Sequence, residues 1–169
     1  MMMDFEKAKD DFIDLWGQLG PNWGINKTMA QIHALLLISS SVLSTDEIMD
    51  QLKISRGNSN MNVRILIDWG LVHKSFKRGD RKEYFSAEKG MPTIAKSIMV
   101  QRRKKELEPL LKLQEKFTLN SDSEENEDQA AFNSMIEDIS VFANKSMELS
   151  EKLMNAEEYW LVKTLSKWI

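Results

Sequence analysis

Ser44-Thr45-Asp46-Glu47-Ile48-Met49-Asp50-Gln51-Leu52-Lys53-Ile54-Ser55-Arg56-Gly57-Asn58-Ser59-Asn60-Met61-Asn62-Val63-Arg64-Ile65-Leu66-Ile67-Asp68-Trp69-Gly70 holds two helix starts and one helix stop. Ser44 and Glu47 have capping-box spacing: the hydroxyl covers the Glu47 amide and the carboxylate reaches back. They open a short helix carrying Ile48, Met49 and Leu52. Lys53-Ile54 is a turn. Ser55 caps a second helix from Arg56 to about Trp69, and Gly70 stops it. The period then changes. Leu71, Val72, Phe76, Tyr84 and Phe85 flank Arg78-Gly79-Asp80, which reads as two strands around a tight turn. Two capped helices followed by a basic hairpin are the order of a helix-turn-helix with a wing.

Helical phase at about 100° per residue divides the second helix. With Val63 as origin, Ser59, Asn60, Leu66 and Ile67 form the buried face. Asn58, Met61, Asn62 and Ile65 lie opposite, with Gly57 and Arg64 on the flank. The outward face of the first two turns is therefore small, amide-bearing and free of acids. An Asn side chain can pair with adenine through two hydrogen bonds, and Met61 can meet a thymine methyl. The small residues at the helix start, with the Ser55 cap, let backbone amides approach phosphate. In the hairpin, Lys74, Lys77, Arg78, Arg81 and Lys82 surround Gly79. An Arg at such a tip suits a narrow minor groove. Asp80 is expected to orient Arg81 by a charge-assisted hydrogen bond.

Before this stretch, residues 5–18 form an amphipathic helix with Phe5, Ala8, Phe12, Leu15, Trp16 and Leu19 on one side. Gly17, Gly20, Pro21 and Gly24 punctuate the chain after it. Asn26 caps a helix to about Ser39, apolar nearly all round at Ala34-Leu35-Leu36-Leu37-Ile38 and hence central. From Pro92 a long helix runs to about Phe117, kinked at Pro109. Asn120 to Asp128 has no apolar residue and reads as a solvated loop. A last helix runs from about Gln129 to Trp168.

Charge supports a local basic head on an acidic chain. The 169 residues carry 23 basic and 26 acidic side chains, net −3. Lys53–Lys82 holds eight basic and two acidic residues, net +6, whereas Glu115–Glu158 holds three and twelve, net −9. Exposed charges are screened beyond roughly 8–10 Å, so the local balance governs contact with phosphate. There is no cysteine, which excludes a disulfide scaffold, a thiol nucleophile and a cysteine-ligated metal. No apolar run approaches the ~18 residues of a membrane helix, and the start is not that of a signal peptide, so a cytoplasmic protein is expected. His33 and His73 stand 40 residues apart with no second ligand at metal spacing. No glycine-rich phosphate loop or nucleophile motif appears, so no enzyme is expected.

The ordered set Trp23-Gly24-Ile25-Asn26, Ile32-His33-Ala34-Leu35-Leu36, the Ser44 box, Ile54-Ser55-Arg56-Gly57-Asn58, Met61-Asn62-Val63-Arg64, Asp68-Trp69-Gly70-Leu71-Val72 and Gly79-Asp80-Arg81-Lys82 resembles the GbsR-like branch of the MarR-type winged-helix transcriptional regulators. The resemblance covers roughly residues 12–90; Asn60 departs from the Ser of the family pattern. It implies a homodimer that binds a palindromic operator through two winged helix-turn-helix units; a transcriptional regulator is expected, a repressor rather than an activator. It places recognition on Arg56, Gly57, Asn58, Met61, Asn62 and Arg64, and wing contacts on Arg78 and Arg81. Some members of the branch sense choline-type osmolytes, and a quaternary ammonium site needs several aromatic faces. Trp16 and Trp23 lead the candidates by type, with Phe12, Phe132, Phe142, Tyr159 and Trp160, although such aromatics at helical spacing are ordinarily core.

The expected architecture is mainly α with a small β-hairpin wing: a winged helix-turn-helix domain over 1–90 and a long helical dimerisation region over 91–169. The expected DNA contacts are Ser55, Arg56, Gly57, Asn58, Met61, Asn62, Arg64, Lys77, Arg78, Arg81 and Lys82, with the recognition helix at about 56–69 and the wing at about 72–86. The expected partners are double-stranded DNA and a second copy of the chain. No cofactor or metal is expected, and a small-molecule inducer is left open. The alternative is a winged helix used as a protein-interaction module.

Overall fold

Asn26, Ser44 and Ser55 each start a helix in the computed structural model, and each does so with its side-chain oxygen. The structure describes residues 4–117 and 126–165, with side chains described at 4–113, 115–117 and 126–152. The order is α1 (Phe5–Leu19), a 3₁₀ turn (Gly20–Trp23), α2 (Lys27–Ile38), β1 (Leu43–Ser44), α3 (Thr45–Leu52) and α4 (Arg56–Asp68). Then come β2 (Val72–Phe76), β3 (Glu83–Ala87), α5 (Met91–Glu106), α6 (Glu108–Phe117) and α7 (Glu127–Leu165). The chain divides into two compact units, Met1–Met99 and Val100–Ile169. No described helix is long and apolar enough to cross a membrane.

The first unit is built around α2. Met29, Ala30, Ile32, His33, Ala34, Leu35 and Leu36 are all buried, so the middle of this helix is enclosed nearly all round. Helix α1 lies against it at close range. A Cβ on Gly17 would stand 2.7 Å from Gln31 Cγ, and one on Gly20 would stand 2.7 Å from Ala30 Cβ. Gly17 is thus a packing residue inside α1 rather than punctuation after it. The buried face of α1 is correspondingly turned towards Ile13 and Gly17, while Phe5 and Leu15 are 73% and 58% exposed.

The hairpin is present and gains a strand. The sheet order is β1-β3-β2, all antiparallel, with Leu43 opposite Phe85 and Ser44 opposite Tyr84. Ser44 therefore ends a strand and caps a helix at once. Its hydroxyl and amide donate to Glu47 Oε2, both at 2.7 Å, and these bonds hold the Glu47 carboxyl below its ordinary pKa. Lys53 closes α3 in the left-handed region at φ 54°, and Gly70 closes α4 at φ 71°.

The expected kinked helix is two helices, α5 and α6. The break falls at Leu107, and Pro109 is the second residue of α6, where its missing amide has no partner to lose. Helix α6 packs along α7, with Phe117 edge-on to Phe132 at 6.4 Å. Arg103 Nη1 donates to Glu151 Oε1 at 2.9 Å. Helix α7 begins at Glu127, two residues before the expected start. Residues 120–125 of the polar segment, Trp168, and the side chains of Tyr159 and Trp160 lie outside the described residues.

Candidate nucleic-acid interface

The start of α4 is set by Ser55, whose hydroxyl accepts from Asn58 N at 3.2 Å. Arg56, Gly57, Met61, Arg64 and Asp68 then follow the solvent side of the helix, with Met61 55% exposed. Nothing stands within 4 Å of a Cβ built on Gly57, so no contact within the chain requires the glycine and the space above it is open. Another backbone can approach there closely.

Asn62 does not belong to this face. It is 0% exposed, together with Ser59 and Leu66. Asn26 Nδ2 donates to Asn62 Oδ1 at 2.8 Å, while Asn62 Nδ2 donates to Asn58 O at 2.8 Å and to Asn58 Oδ1 at 2.7 Å. Asn26 Oδ1 meanwhile accepts from Met29 N at 2.8 Å. One chain of amides therefore ties the α2 cap to the second turn of α4. The expected placement of Asn62 among the base contacts is corrected: the buried arc centres between Ser59 and Leu66 rather than on Val63, which turns Asn62 inward. Asn60, expected inside, is half-buried and accepts from Thr45 Oγ1 at 3.3 Å. Asn58 is half-buried, with its oxygen engaged by Asn62 and its amide NH₂ without a partner among the described residues. It retains a donor but not the donor–acceptor pair that adenine needs.

The wing is braced from within. Asp80 accepts from Tyr84 Oη at 2.6 Å and from Lys82 N at 2.9 Å. These bonds lower the Asp80 pKa, the Tyr84 bond first, and raise that of Tyr84. Asp80 thus shapes the turn, with Gly79 at φ 84°, instead of orienting the Arg81 side chain as expected. Lys77 Nζ sits 4.0 Å from the Tyr84 ring centroid, a cation–π contact. Lys74 Nζ pairs with Glu83 at 3.1 Å. Arg64, Arg78 and Arg81 are exposed and have no ion-pair partner among the described residues.

Asp46 is the acid that sequence reasoning missed. In the first turn of α3, its carboxylate pairs with Arg56 and, at 3.1 Å, with Lys82 Nζ. The hydrogen bond from Lys82 and the charge of Arg56 hold its pKa below the ordinary value. Two expected DNA contacts, one on α4 and one on the wing, are thereby gathered on one carboxylate. Trp16 and Trp23, the candidate ligand residues, pack edge to face at 4.9 Å, with Phe12 5.4 Å and His33 6.1 Å from Trp16. Their rings contact one another as part of the core flank.

No family model matches the chain. It is 30% identical over 84 residues to the HTH-type transcriptional repressor GbsR of Bacillus subtilis (strain 168), a match spanning 50% of this chain and 46% of that protein. The chain thus spans about half the length of the curated relative it matches. A crystal structure of a transcriptional regulator superposes with a TM-score of 0.63 at 13% identity, covering 90% of this chain and 99% of that one, a likeness of fold. The mostly helical chain with its three-stranded antiparallel sheet has the winged helix-turn-helix fold, and over half its length it is similar in sequence to GbsR.

Proposed function

We propose that the chain is a sequence-specific DNA-binding transcriptional regulator, a repressor, that acts in the cytoplasm as a homodimer on a palindromic operator. Helix α4 enters the major groove, and the wing lies on the minor groove or the backbone. One observation carries this reading: Gly57, Met61 and Arg64 form an outward, acid-free stretch of α4, and Arg78 and Arg81 are exposed on the wing of the same unit, without an ion-pair partner among the described residues. Phosphates supply most of the binding energy of such a surface, and base edges supply its selectivity. The name of the GbsR relative supports repression.

In this reading Ser55, Gly57 and the helix start meet phosphate, Met61 and Arg64 face bases, and Asn58 offers one donor. Arg78, Arg81 and Lys77 hold the wing to the duplex. Arg81→Ala should weaken binding to operator and random duplex alike and lower the salt slope by about one. Anisotropy titrations across salt concentrations test this; unchanged affinity and slope would remove Arg81 from the interface. Asp46→Asn should act in the opposite sense. It releases Arg56 and Lys82 and adds one positive charge to the face, so random-duplex affinity should rise and the salt slope should steepen by about one. Weaker binding would mean that Asp46 is needed to hold these cations in place. Loss of all salt-sensitive binding in the parent chain would favour the protein-interaction module instead.

A further inference from the structure

Helix α7 has two apolar flanks; one is covered, and the other is open from Met135 to Leu149 and touched by α6 at its start, where Phe132 meets Phe117. Ser140 and Ala143 are buried, and Ile136, Met147 and Ser150 are half-buried beside them. About 100° around the helix, Met135, Phe142 and Leu149 are 58%, 63% and 59% exposed. They recur every seven residues. With Phe132, Ile139 and Ser146 the spacing becomes three, four, three, four, three, the alternation that lets one helix seat its side chains between those of another. The seam from Phe132 to Leu149 runs about 26 Å at 1.5 Å per residue. Its free edge carries Asp138 and Lys145, exposed and without an ion-pair partner among the described residues.

We propose that this seam is covered by the same seam of a second copy of the chain, antiparallel, with the two-fold axis passing between Ser140 and Val141. The proposal deepens the dimeric reading above by naming its contact. In that register Ile139 faces Phe142 of the second copy, Phe132 faces its Leu149, and Met135 faces its Ser146. Each Asp138 meets the other copy's Lys145, so symmetry makes the pair twice. The charges choose this register. Moving Phe142 opposite Ser146 sets Lys145 against Lys145. A parallel pairing aims Asp138 and Lys145 at the edge formed by Ile136, Ala143 and Ser150, which offers no charge and is already the buried side.

The absence of cysteine makes the test direct. Met135→Cys and Ser146→Cys alter one exposed and one half-buried position, singly and together, in the full chain. Under mild oxidation the double variant should form a cross-linked dimer while each single variant does not, because position 135 lies against 146 and about 16 Å along the helix from its own counterpart. Self-linking of either single variant would establish a parallel or shifted pairing and overturn the proposal. So would failure of the double variant to link. In sedimentation, Lys145→Asp should shift the mass from about twice towards once the 19.6 kDa of the chain, and Asp138→Lys added to it should restore the dimer. A double variant no more dimeric than Lys145→Asp alone would contradict the paired charges. Cross-linking reads α7 alone. A chain that links as expected but ignores DNA refutes the regulator and leaves the pairing. A dimer that binds DNA without these links refutes the pairing and leaves the regulator.

Discussion

Asn62→Ala should destabilise the first unit by about 2–4 kcal/mol. The side chain is 0% exposed and closes a chain of four hydrogen bonds between the α2 cap and α4. Alanine opens a cavity at a fully buried position and removes the bonds that tie Asn26, which is exposed, and Asn58, which is half-buried, into one link between the α2 cap and α4. Urea unfolding followed by circular dichroism measures the effect. DNA affinity should fall through the tilt of α4, equally across operator variants. Unchanged stability with a changed base preference at one position per half-site would return Asn62 to the interface.

Lowering the pH should destabilise the chain through His33. The imidazole is 1% exposed, and burial pulls its pKa from 6.5 down to about 4. Folded, it stays neutral; unfolded, it takes up a proton below about 6.5. The unfolded state then binds more protons, so stability rises with pH across this window. The contribution is fully present above 6.5 and is lost progressively as the pH falls towards 4, where the loss amounts to about 3 kcal/mol. His33→Leu replaces the ring by a side chain that suits its surroundings and cannot titrate. Unfolding midpoints of the two proteins between pH 7 and 4.5 should diverge, the parent losing more. Parallel curves would mean that His33 titrates as it does in the unfolded chain.

The parts of this fold that were legible in the sequence are those set by short-range chemistry. Asn26, Ser44 and Ser55 bond to amides three residues on, so spacing alone reveals them. The hairpin is visible in its alternation and in Gly79. Strand β1 was not legible, because two residues carry no alternation and their partners Tyr84 and Phe85 lie some 40 residues away. The phase of α4 was missed for a related reason. Val63 is the natural centre of an apolar arc, but the arc is widened by Asn62, whose partner Asn26 lies 36 residues earlier. Burial of an amide cannot be read from its type when its partner is remote.

The site shows the same division. The cluster of cations on α4 and the wing is evident from the chain, whereas their sorting is not. Arg56 and Lys82 converge on Asp46 only because α3, α4 and β3 meet there. Asp80 neighbours Arg81 in sequence, yet it is claimed by Tyr84 across the turn. Helix α7 reads as a broad apolar arc, and only the placement of α6 shows which half is left uncovered.

The most direct test is a fluorescence-anisotropy titration of the full chain. One probe is a pool of duplexes from upstream of its own gene, and the other is random duplex of equal length, each at two salt concentrations. Binding that is tighter on the upstream pool, and that falls steeply with salt on both probes, is the predicted result. Equal binding to both probes, or none at low salt, would contradict the claim that α4 and the wing read DNA.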